Sequence, residues 1–316
     1  MHIRYIKATG TAAERGDTIG RHWRHHIPTI LKSLESASLA EDNTQLNTWL
    51  PRASAFLPYI EQYAPRTLAE MKGAANGAGL SLEDILLLSC MYEKHFNHPA
   101  AEHCTGFAAM GRATRTGELI TGQNNDEEIQ HWAAGQLDAV VHHIHPSGME
   151  ALIYTHPGIP AYMGMNSSGL CVLWMAIDNQ ERALGLPTNI LIRELLRFDT
   201  LKDAVRYLEQ VPKSLPNNYL LSHPAQGICN IECSPGYFCA TYRENLHFHT
   251  NHILDPEMAV NDRKNDLPEN STFFRFEAMG NLLAEYEGTI DVEAACKILS
   301  DHTHYPRSIC AHPQID

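Results

Sequence analysis

The stretch "AAEHCTGFAAMG", residues 100–111, places a cysteine between a polar segment and a short apolar run. The small and apolar residues after Cys104 predict a β-strand that starts at this cysteine. If the peptide bond before Cys104 were cut, the cysteine would become an N-terminal residue. Its α-amine, which titrates near about 7.7 to 8.0, could then take the proton of its own thiol. Cys104 would supply both nucleophile and base, although most lone cysteines are buried structural thiols.

The chain on either side of this cysteine divides by periodicity. Residues 17–95 carry apolar residues at intervals of three and four, which predicts helices, and Ser81 with Asp84 predicts a capped helix start. Residues 104–178 contain short β-rich runs separated by turn sequences, which predicts antiparallel strands. Two helices, further strands and two last helices follow. This order predicts an α+β protein with two sheets and helices outside them.

Length and charge limit the class of protein. The 316 residues suffice for one large domain or two ordinary ones. The formal net charge of −13 argues against nucleic acid as a partner. No apolar run approaches the roughly 20 residues of a membrane span, and the N-terminus "MHIRYIKATG" lacks the apolar core of a signal peptide. We therefore expect a cytoplasmic protein that binds neither nucleic acid nor membrane.

The eight cysteines are spread along the chain, as is typical of proteins from a reducing compartment. Cys229, Cys233 and Cys239 lie close together, but their spacing matches no C-x-x-C metal site and a second ligand pair is missing. We predict that they belong to a strand hairpin with its turn at residues 234–236.

Histidines also cluster in two predicted strands, where residues i and i+2 share a face. No carboxylate pair completes a ligand set there, so we predict no metal site, and the same holds for "DHTHYP" at residues 301–306. The strand histidines are His142, His143, His145, His247 and His249.

Residues 104–127, "CTGFAAMGRATRTGELITGQNNDE", resemble the start of the mature chain in the penicillin acyltransferase family of N-terminal-nucleophile (Ntn) hydrolases. The family is also called the isopenicillin N acyltransferase or acyl-CoA:6-aminopenicillanic acid acyltransferase family. In its members, a Cys-Thr pair is followed by a Gly-Gln-Asn-x-Asp motif. The leader "MKGAANGAGLSLEDILLLSCMYE" resembles the family's propeptide. The strings "YMGMNSSGLCV", "GLPTNILIRELL", "CNIECSP", "HTNHIL" and "HYPRSIC" then follow in the family's order. The resemblance covers almost the whole chain.

The resemblance implies a four-layer αββα sandwich and self-cleavage between His103 and Cys104. Residues 1–103 would be a helical leader, and residues 104–316 the catalytic domain. Carried over position by position, Cys104 matches the nucleophile, Asp126 the acid of Gly-Gln-Asn-x-Asp, and Asn251 the asparagine that holds the oxyanion.

Each of these roles has a physical basis. The uncharged amide of Asn251 can donate to an oxyanion without competing for the thiol proton. A hairpin after Cys104 could return Asp126 to the strand start, where it could orient the ammonium group or donate a proton in cleavage. Without the resemblance, Asp126 and Asn251 would both pass for ordinary turn residues.

Two features depart from the family's pattern. His103 stands where the penicillin enzyme has glycine, so the strain and solvation of the bond to be cut can differ. The sequence ends at "SICAHPQID", before a last pair of strands that carries a functional arginine in the family. No residue here matches that arginine, and we expect this segment to be missing.

The expected activity is formation of an acyl-cysteine at Cys104 from a small linear amide or thioester, followed by transfer to water or an amine. Hydrolysis is favoured because water needs no dedicated acceptor site. We expect no cofactor, although a coenzyme A thioester could be a substrate, and we expect the leader to remain as a second chain.

Two alternatives stay open. The first is a catalytically silent Ntn-fold protein with an uncleaved leader, acting as a binding or regulatory module. The second is a cysteine hydrolase that needs no cleavage and uses His249 or His252 as base.

Overall fold

The computed structural model describes residues 3–42, 46–94, 103–126, 137–266 and 270–312. Within these ranges the chain forms β-strands grouped into two sheets. The strands are β1 (Arg4–Thr9), β2 (His103–Ala109), β3 (Ile120–Asp126), β4 (Ala139–Ile144), β5 (Glu150–Thr155), β6 (Met163–Asn166), β7 (Cys171–Ala176), β8 (Asn217–His223), β9 (Gly227–Cys233), β10 (Phe238–Arg243) and β11 (Leu246–His249).

The helices precede, interrupt and follow the strands. None in the described ranges is long and apolar enough to cross a membrane. The α-helices are α1 (Ala12–Trp23), α2 (Ile27–Asp42), α3 (Leu46–Ser54), α4 (Leu57–Tyr63), α5 (Pro65–Ala78), α6 (Leu82–Ser89), α7 (Met91–Lys94), α8 (Thr188–Leu195), α9 (Leu201–Gln210), α10 (Ser271–Glu285) and α11 (Val292–Leu299).

The larger sheet has eight strands in the order β1-β4-β5-β6-β7-β8-β9-β10. All neighbours in it are antiparallel except β1 and β4, which are parallel. The smaller sheet has three antiparallel strands in the order β11-β2-β3. Cys104 therefore lies on the central strand of the smaller sheet.

The two sheets pack face to face, with β2 and β3 against β7 and with β11 against β8 and β9. Helices α10 and α11 cover the outer face of the smaller sheet. Helices α1 to α6, with α8 and α9, share one core with the outer face of the larger sheet. The layer order is helix, sheet, sheet, helix, so the predicted αββα architecture is confirmed.

Strand β7, "CVLWMA", shows how sequence and layers correspond. Val172 and Trp174 face the helical core of the larger sheet, whereas Leu173 and Met175 face the smaller sheet. Successive side chains on a strand point to opposite faces. Both faces of β7 are covered, and its sequence is therefore apolar throughout rather than alternating.

Predictions that rest on local signals are confirmed. The Ser81 hydroxyl accepts the Asp84 amide hydrogen at 3.2 Å, and an Asp84 carboxylate oxygen accepts the Ser81 amide hydrogen at 3.0 Å, as a capping box requires. Strands β9 and β10 form the predicted hairpin, which carries Cys229, Cys233 and Cys239.

The predicted helical leader, residues 1–103, also contains a strand. Strand β1 forms one edge of the larger sheet and pairs parallel with β4, Arg4 opposite Ala139. The leader helices pack on the outer face of the larger sheet and share its core, so they do not form a separate body. Division of the chain between His103 and Cys104 stays a prediction.

Candidate active site

Cys104 is fully buried between the two sheets. Its side chain packs with Ala108 and with β7 residues of the larger sheet, Met175 among them. Gly106 lies on the same face of β2, and a Cβ there would come within 3.1 Å of the Met175 sulfur. Glycine at this position lets the sheets approach closely beside the thiol.

Polar groups hold both the backbone and the thiol of Cys104. Its amide nitrogen donates to Oδ1 of Asn251 at 2.7 Å, and its carbonyl oxygen accepts from Nη1 of Arg275. The thiol donates to Oδ1 of Asn125, with sulfur and oxygen 3.2 Å apart. Buried polar groups that converge on one cysteine are a feature of sites rather than of apolar cores.

Asn251 follows β11 and is almost fully buried. Besides the Cys104 amide, its Oδ1 accepts from Nη2 of Arg275 at 2.9 Å. Its Nδ2 donates to the Ala176 carbonyl oxygen at 2.9 Å, and its backbone nitrogen donates to the Thr272 hydroxyl at 2.8 Å. Oxygen and nitrogen of this side-chain amide are therefore distinguished by their partners, and the group has one orientation.

Arg275 reaches the site from α10, on the opposite side of the smaller sheet. Its Nη1 also donates to the Thr105 hydroxyl at 2.7 Å. Burial lowers the pKa of Arg275 to about 10, while electrostatic attraction to Cys104 and Asp126 raises this pKa and offsets part of the effect of burial. The guanidinium is still charged near neutral pH and places a fixed positive charge beside the Cys104 backbone.

Asp126 ends β3 directly opposite His103, and Asn125 is opposite Cys104. Paired residues share a face, so Asn125 lies on the thiol side of the sheet and Asp126 on the side of Thr105 and α10. Burial raises the pKa of Asp126 to about 7, partly offset by Arg275. Its Oδ2 is buried and has no hydrogen-bond partner among the described residues. A carboxyl group that titrates near neutral pH can give or take a proton at the His103–Cys104 bond.

Residues 114–315 match the family described as acyl-coenzyme A:6-aminopenicillanic acid acyl-transferase. The chain belongs to this family. The matched region begins ten positions after Cys104 and includes Asp126, Asn251 and Arg275. The predicted family is thus confirmed, while the roles of individual residues stay predictions.

Other similarities are more distant. An uncharacterized protein of Archaeoglobus fulgidus is 24% identical over 301 residues, which cover 78% of this chain and 48% of that protein. The chain thus spans about half the length of this relative. Penicillin V acylase from Agrobacterium tumefaciens aligns with a TM-score of 0.35 and 13% identity over 64% of this chain and 63% of its own. A variant of conjugated bile acid hydrolase from Clostridium perfringens aligns with a TM-score of 0.35 and 11% identity, over 64% of this chain and 71% of the hydrolase chain.

Sequence reasoning missed Arg275. A signal was present, because Arg275, Met279 and Leu283 are spaced by four residues and lie on one face of α10. All three are buried. An arginine in the buried row of an amphipathic helix needs an acceptor inside the protein, which points to a site.

The Gly-Gln-Asn-x-Asp segment also connects the layers. Nε2 of Gln123 donates to the carbonyl oxygen of Trp174 on β7 at 2.6 Å, and Oε1 of Gln123 accepts from the Trp174 amide nitrogen at 3.1 Å. Nδ2 of Asn124 donates to the carbonyl oxygens of Leu299 and Ile309, at 2.7 and 2.8 Å. Gln123 thereby joins the two sheets, and Asn124 ties the last described segment to β3.

The two candidate base histidines have other partners. Nε2 of His249 lies 2.8 Å from a Glu232 carboxylate oxygen, and its Nδ1 lies 2.8 Å from the Thr250 carbonyl oxygen. Nδ1 of His252 lies 3.1 Å from the Thr272 hydroxyl, and burial lowers its pKa to about 4. Both imidazoles are thus hydrogen-bonded to groups other than the Cys104 thiol.

The strand histidines are not brought together as one ligand set. His142 lies between the Tyr5 hydroxyl and a Glu150 carboxylate oxygen, each at 2.6 Å. His143 is buried near Glu70, with Nδ1 and Oε2 3.8 Å apart. Within the described ranges, a different group has metal-ligating spacing: His302, Cys310 and His312.

Proposed function

We propose that the protein is an Ntn hydrolase or acyltransferase that cuts its own chain between His103 and Cys104 and then forms an acyl-cysteine. The observation that carries this proposal is the buried bond from the Cys104 amide nitrogen to Oδ1 of Asn251, 2.7 Å long. After cleavage the same oxygen would hold the α-amine of Cys104. A base would then be fixed beside its own thiol, as cysteine activation requires.

Cleavage would begin with attack of the Cys104 thiol on the carbonyl carbon of His103. The C–N bond breaks, a thioester forms, and the nitrogen leaves as an amine that gains a proton. Asp126 is opposite His103, and with a pKa of about 7 it can supply this proton. The proton that the thiol releases on attack then replaces the one given by Asp126, so the step consumes no proton overall. Water then hydrolyses the thioester and frees the thiol. We predict that residues 97–103 occupy the substrate space before cleavage. Of these, residues 97–102 lie outside the described residues.

In turnover, the α-amine takes the thiol proton and the thiolate attacks the carbonyl carbon of the substrate. Nδ2 of Asn251 donates one hydrogen to the Ala176 carbonyl oxygen, and its second hydrogen can bind the oxyanion. The α-ammonium passes its proton to the leaving amine as the C–N bond breaks. Water attacks the acyl-cysteine, and the acid is released. Asn251 would thus hold the amine and stabilise the oxyanion.

Arg275 would support this chemistry without touching the substrate. Its positive charge lies beside the Cys104 backbone and lowers the pKa of an α-ammonium formed there, so that more of the amine is unprotonated near neutral pH. By donating to Oδ1 of Asn251 at 2.9 Å, it also fixes the direction of that amide.

The substrate we propose is a small linear amide or thioester. Hydrolysis is preferred over acyl transfer because water needs no separate acceptor site. A coenzyme A thioester is a second acyl donor to test, since the family is described by a coenzyme A-dependent transfer. The proposed chemistry uses side chains and the α-amine alone and requires no cofactor.

The leader would remain attached as a second chain. Glu70 of α5 accepts two hydrogen bonds of 2.8 Å from Arg193 of α8, across the proposed division of the chain. Glu93 of α7 accepts from the Thr188 amide nitrogen at 2.8 Å. These buried contacts, with the shared apolar core, do not depend on the bond before Cys104.

We propose a cytoplasmic location, because the eight cysteines are spread along the chain without the density of a disulfide scaffold. Reduced thiols are typical of proteins in a reducing compartment.

The deciding experiment is intact mass spectrometry of purified protein, followed by N-terminal sequencing. Self-cleavage predicts fragments of about 11 and 24 kDa, from chain length, with Cys104 as a new N-terminus. Cys104→Ala should stay whole and inactive, whereas Cys296→Ala, which alters an exposed thiol, should be cut normally.

Other outcomes would redirect the proposal. Cys104→Ala protein that is still cut at this bond would point to an outside protease. A whole wild-type chain without activity on amides or thioesters would favour the silent binding module. A whole chain that turns over substrate would require a side-chain base, and His249→Ala and His252→Ala would identify it.

A further inference from the structure

The chain folds back on itself between residues 301 and 312 and brings three potential metal ligands together. Nε2 of His302 and Nε2 of His312 are 2.8 Å apart, and the Cys310 sulfur is 3.8 Å from Nε2 of His312. All three ligand atoms lie within 4.8 Å of one another. They belong to residues that the catalytic proposal does not use.

These distances are close to those of a tetrahedral zinc site. With Zn–N near 2.05 Å, two imidazole nitrogens on one ion are about 3.3 Å apart, and nitrogen and thiolate sulfur are about 3.5 Å apart. The His302–His312 distance would open by about 0.5 Å and the Cys310–His312 distance would close by about 0.3 Å. At this distance a hydrogen atom lies between the two imidazole nitrogens of His302 and His312. A divalent cation bound to both nitrogens can replace that hydrogen atom.

Backbone hydrogen bonds hold the ligands in position without a metal. The Cys310 amide donates to the Asp301 carbonyl oxygen, and the His312 amide donates to the Pro306 carbonyl oxygen, both at 2.9 Å. The loop is thus closed behind the three side chains. A pre-organised loop reduces the ordering that metal binding would otherwise require.

The environment of these side chains differs from that of the strand histidines, none of which is exposed. His302 and His312 are exposed, so their nitrogens are reachable from solvent. His249, by contrast, is buried between Glu232 and the Thr250 carbonyl oxygen. His304, on the same loop, stacks on Phe274 with ring centres 5.2 Å apart.

We propose that His302, Cys310 and His312 form a binding site for a divalent transition-metal ion of the zinc type. A Cys-His-His donor set suits zinc or cobalt(II), and three protein ligands leave a fourth position for water or another small ligand. Asn124 bonds the backbone of Leu299 and Ile309, so the site lies against β3 close to Asp126. Metal binding here does not depend on the chemistry of Cys104.

The test is titration of the full-length protein with cobalt(II), followed by zinc analysis after gel filtration. About one cobalt(II) per chain should bind and give a thiolate-to-cobalt charge-transfer band, and zinc should abolish the band by displacement. His302→Ala and His312→Ala should each weaken binding by at least about 10- to 100-fold, and Cys310→Ser should remove the band. Cys104→Ala should behave as wild type, which excludes binding at the proposed nucleophile.

His304→Ala and Cys296→Ser are the matched controls, because they change a histidine of the same loop and an exposed thiol elsewhere. Both should bind cobalt(II) as wild type does. Absence of stoichiometric binding, or equal losses in His304→Ala and His302→Ala, would overturn the proposal. Circular dichroism of each variant ensures that a lost band does not come from unfolding, and His312→Ala provides an independent test if one variant fails to fold.

Discussion

Oδ1 of Asn251 accepts a hydrogen bond from the Cys104 amide nitrogen at 2.7 Å while Arg275 binds the same oxygen at 2.9 Å. Cys104 and Asn251 are 147 positions apart in sequence. Cys104 lies on β2 and Asn251 comes two positions after the end of β11, and these two strands pair in the smaller sheet. Two donors on one oxygen fix the amide, and its nitrogen donates to the Ala176 carbonyl oxygen. Asn251, the predicted oxyanion residue, therefore also accepts a hydrogen bond from the Cys104 nitrogen, which would become the predicted base after cleavage.

Asn251→Ala should lower turnover by about 100- to 1000-fold, as expected on loss of an oxyanion donor. It would also leave the buried Cys104 nitrogen and Arg275 without this acceptor, and self-cleavage should slow. Single-turnover rates and the fraction of cut chain measure the two effects. Asn261→Ala, at an exposed position, is the control. Full activity in a folded Asn251→Ala protein would remove this residue from the site.

A thioester intermediate should be detectable on the enzyme. Acid quenching during turnover of an amide or thioester substrate should leave the acyl mass on the peptide that begins with Cys104. An added amine should divert the product from acid to amide, because it competes with water for the same acyl group. Peptide mass mapping locates the label. A label on another cysteine, or none with any substrate tried, would contradict covalent catalysis at Cys104.

Arg275→Met should shift the pH dependence of self-cleavage upward. Arg275 lowers the pKa of Asp126, so without this charge the carboxyl should titrate above its present value of about 7. Arg275→Lys retains the charge but not the forked geometry, and its profile should lie nearer to wild type. Cleavage rates across pH give the midpoint, with the exposed Arg112→Met as control. An unchanged midpoint in both Arg275 variants would show that Arg275 has a structural role only.

Local patterns predicted much of the sandwich. The strands from residue 104 onward are bounded by Gly, Pro, Asn and Ser turns, and the hairpin of β2 and β3 returns Asp126 to His103 as the spacing suggested. Strand β1 was missed because its partner β4 comes about 130 residues later, and its pairing leaves no local periodicity. Parallel pairing between distant segments depends on tertiary structure.

The site was only partly predictable for the same reason. The resemblance supplied Cys104, Asp126 and Asn251, whose positions agree with a common site. Arg275 is separated from Cys104 by 171 positions and reaches it through the layer of α10, so only its place in a buried helical row could have indicated it. The grouping of His302 with Cys310 depends on loop closure, which the spacing of the two residues does not reveal.

Asp126→Asn should make stability less dependent on pH. The folded pKa of Asp126 is about 7 and its ordinary value is 3.8, so the folded state binds this proton more tightly. Its contribution to stability is full below the ordinary value and is lost as pH rises through the folded value. Urea unfolding in the uncut Cys104→Ala background, at about pH 5 and about pH 8, measures the change. The Asn variant should gain stability relative to its parent at the higher pH, and a constant difference would contradict the assigned shift.

Glu70→Gln should weaken the hold of the leader on the rest of the protein. Burial disfavours the charged carboxylate, but Arg193 and the neighbouring His143 and Arg197 keep the pKa of Glu70 well below its usual range. Removing this charge leaves buried arginines uncompensated, at a cost of about 3 to 5 kcal/mol in the free energy of unfolding. Urea unfolding of the Cys104→Ala precursor gives that value, and gel filtration of the cut protein reports leader release. Glu61→Gln, at an exposed position of α4, should change neither property. Equal behaviour of the two variants would mean that the apolar core alone retains the leader.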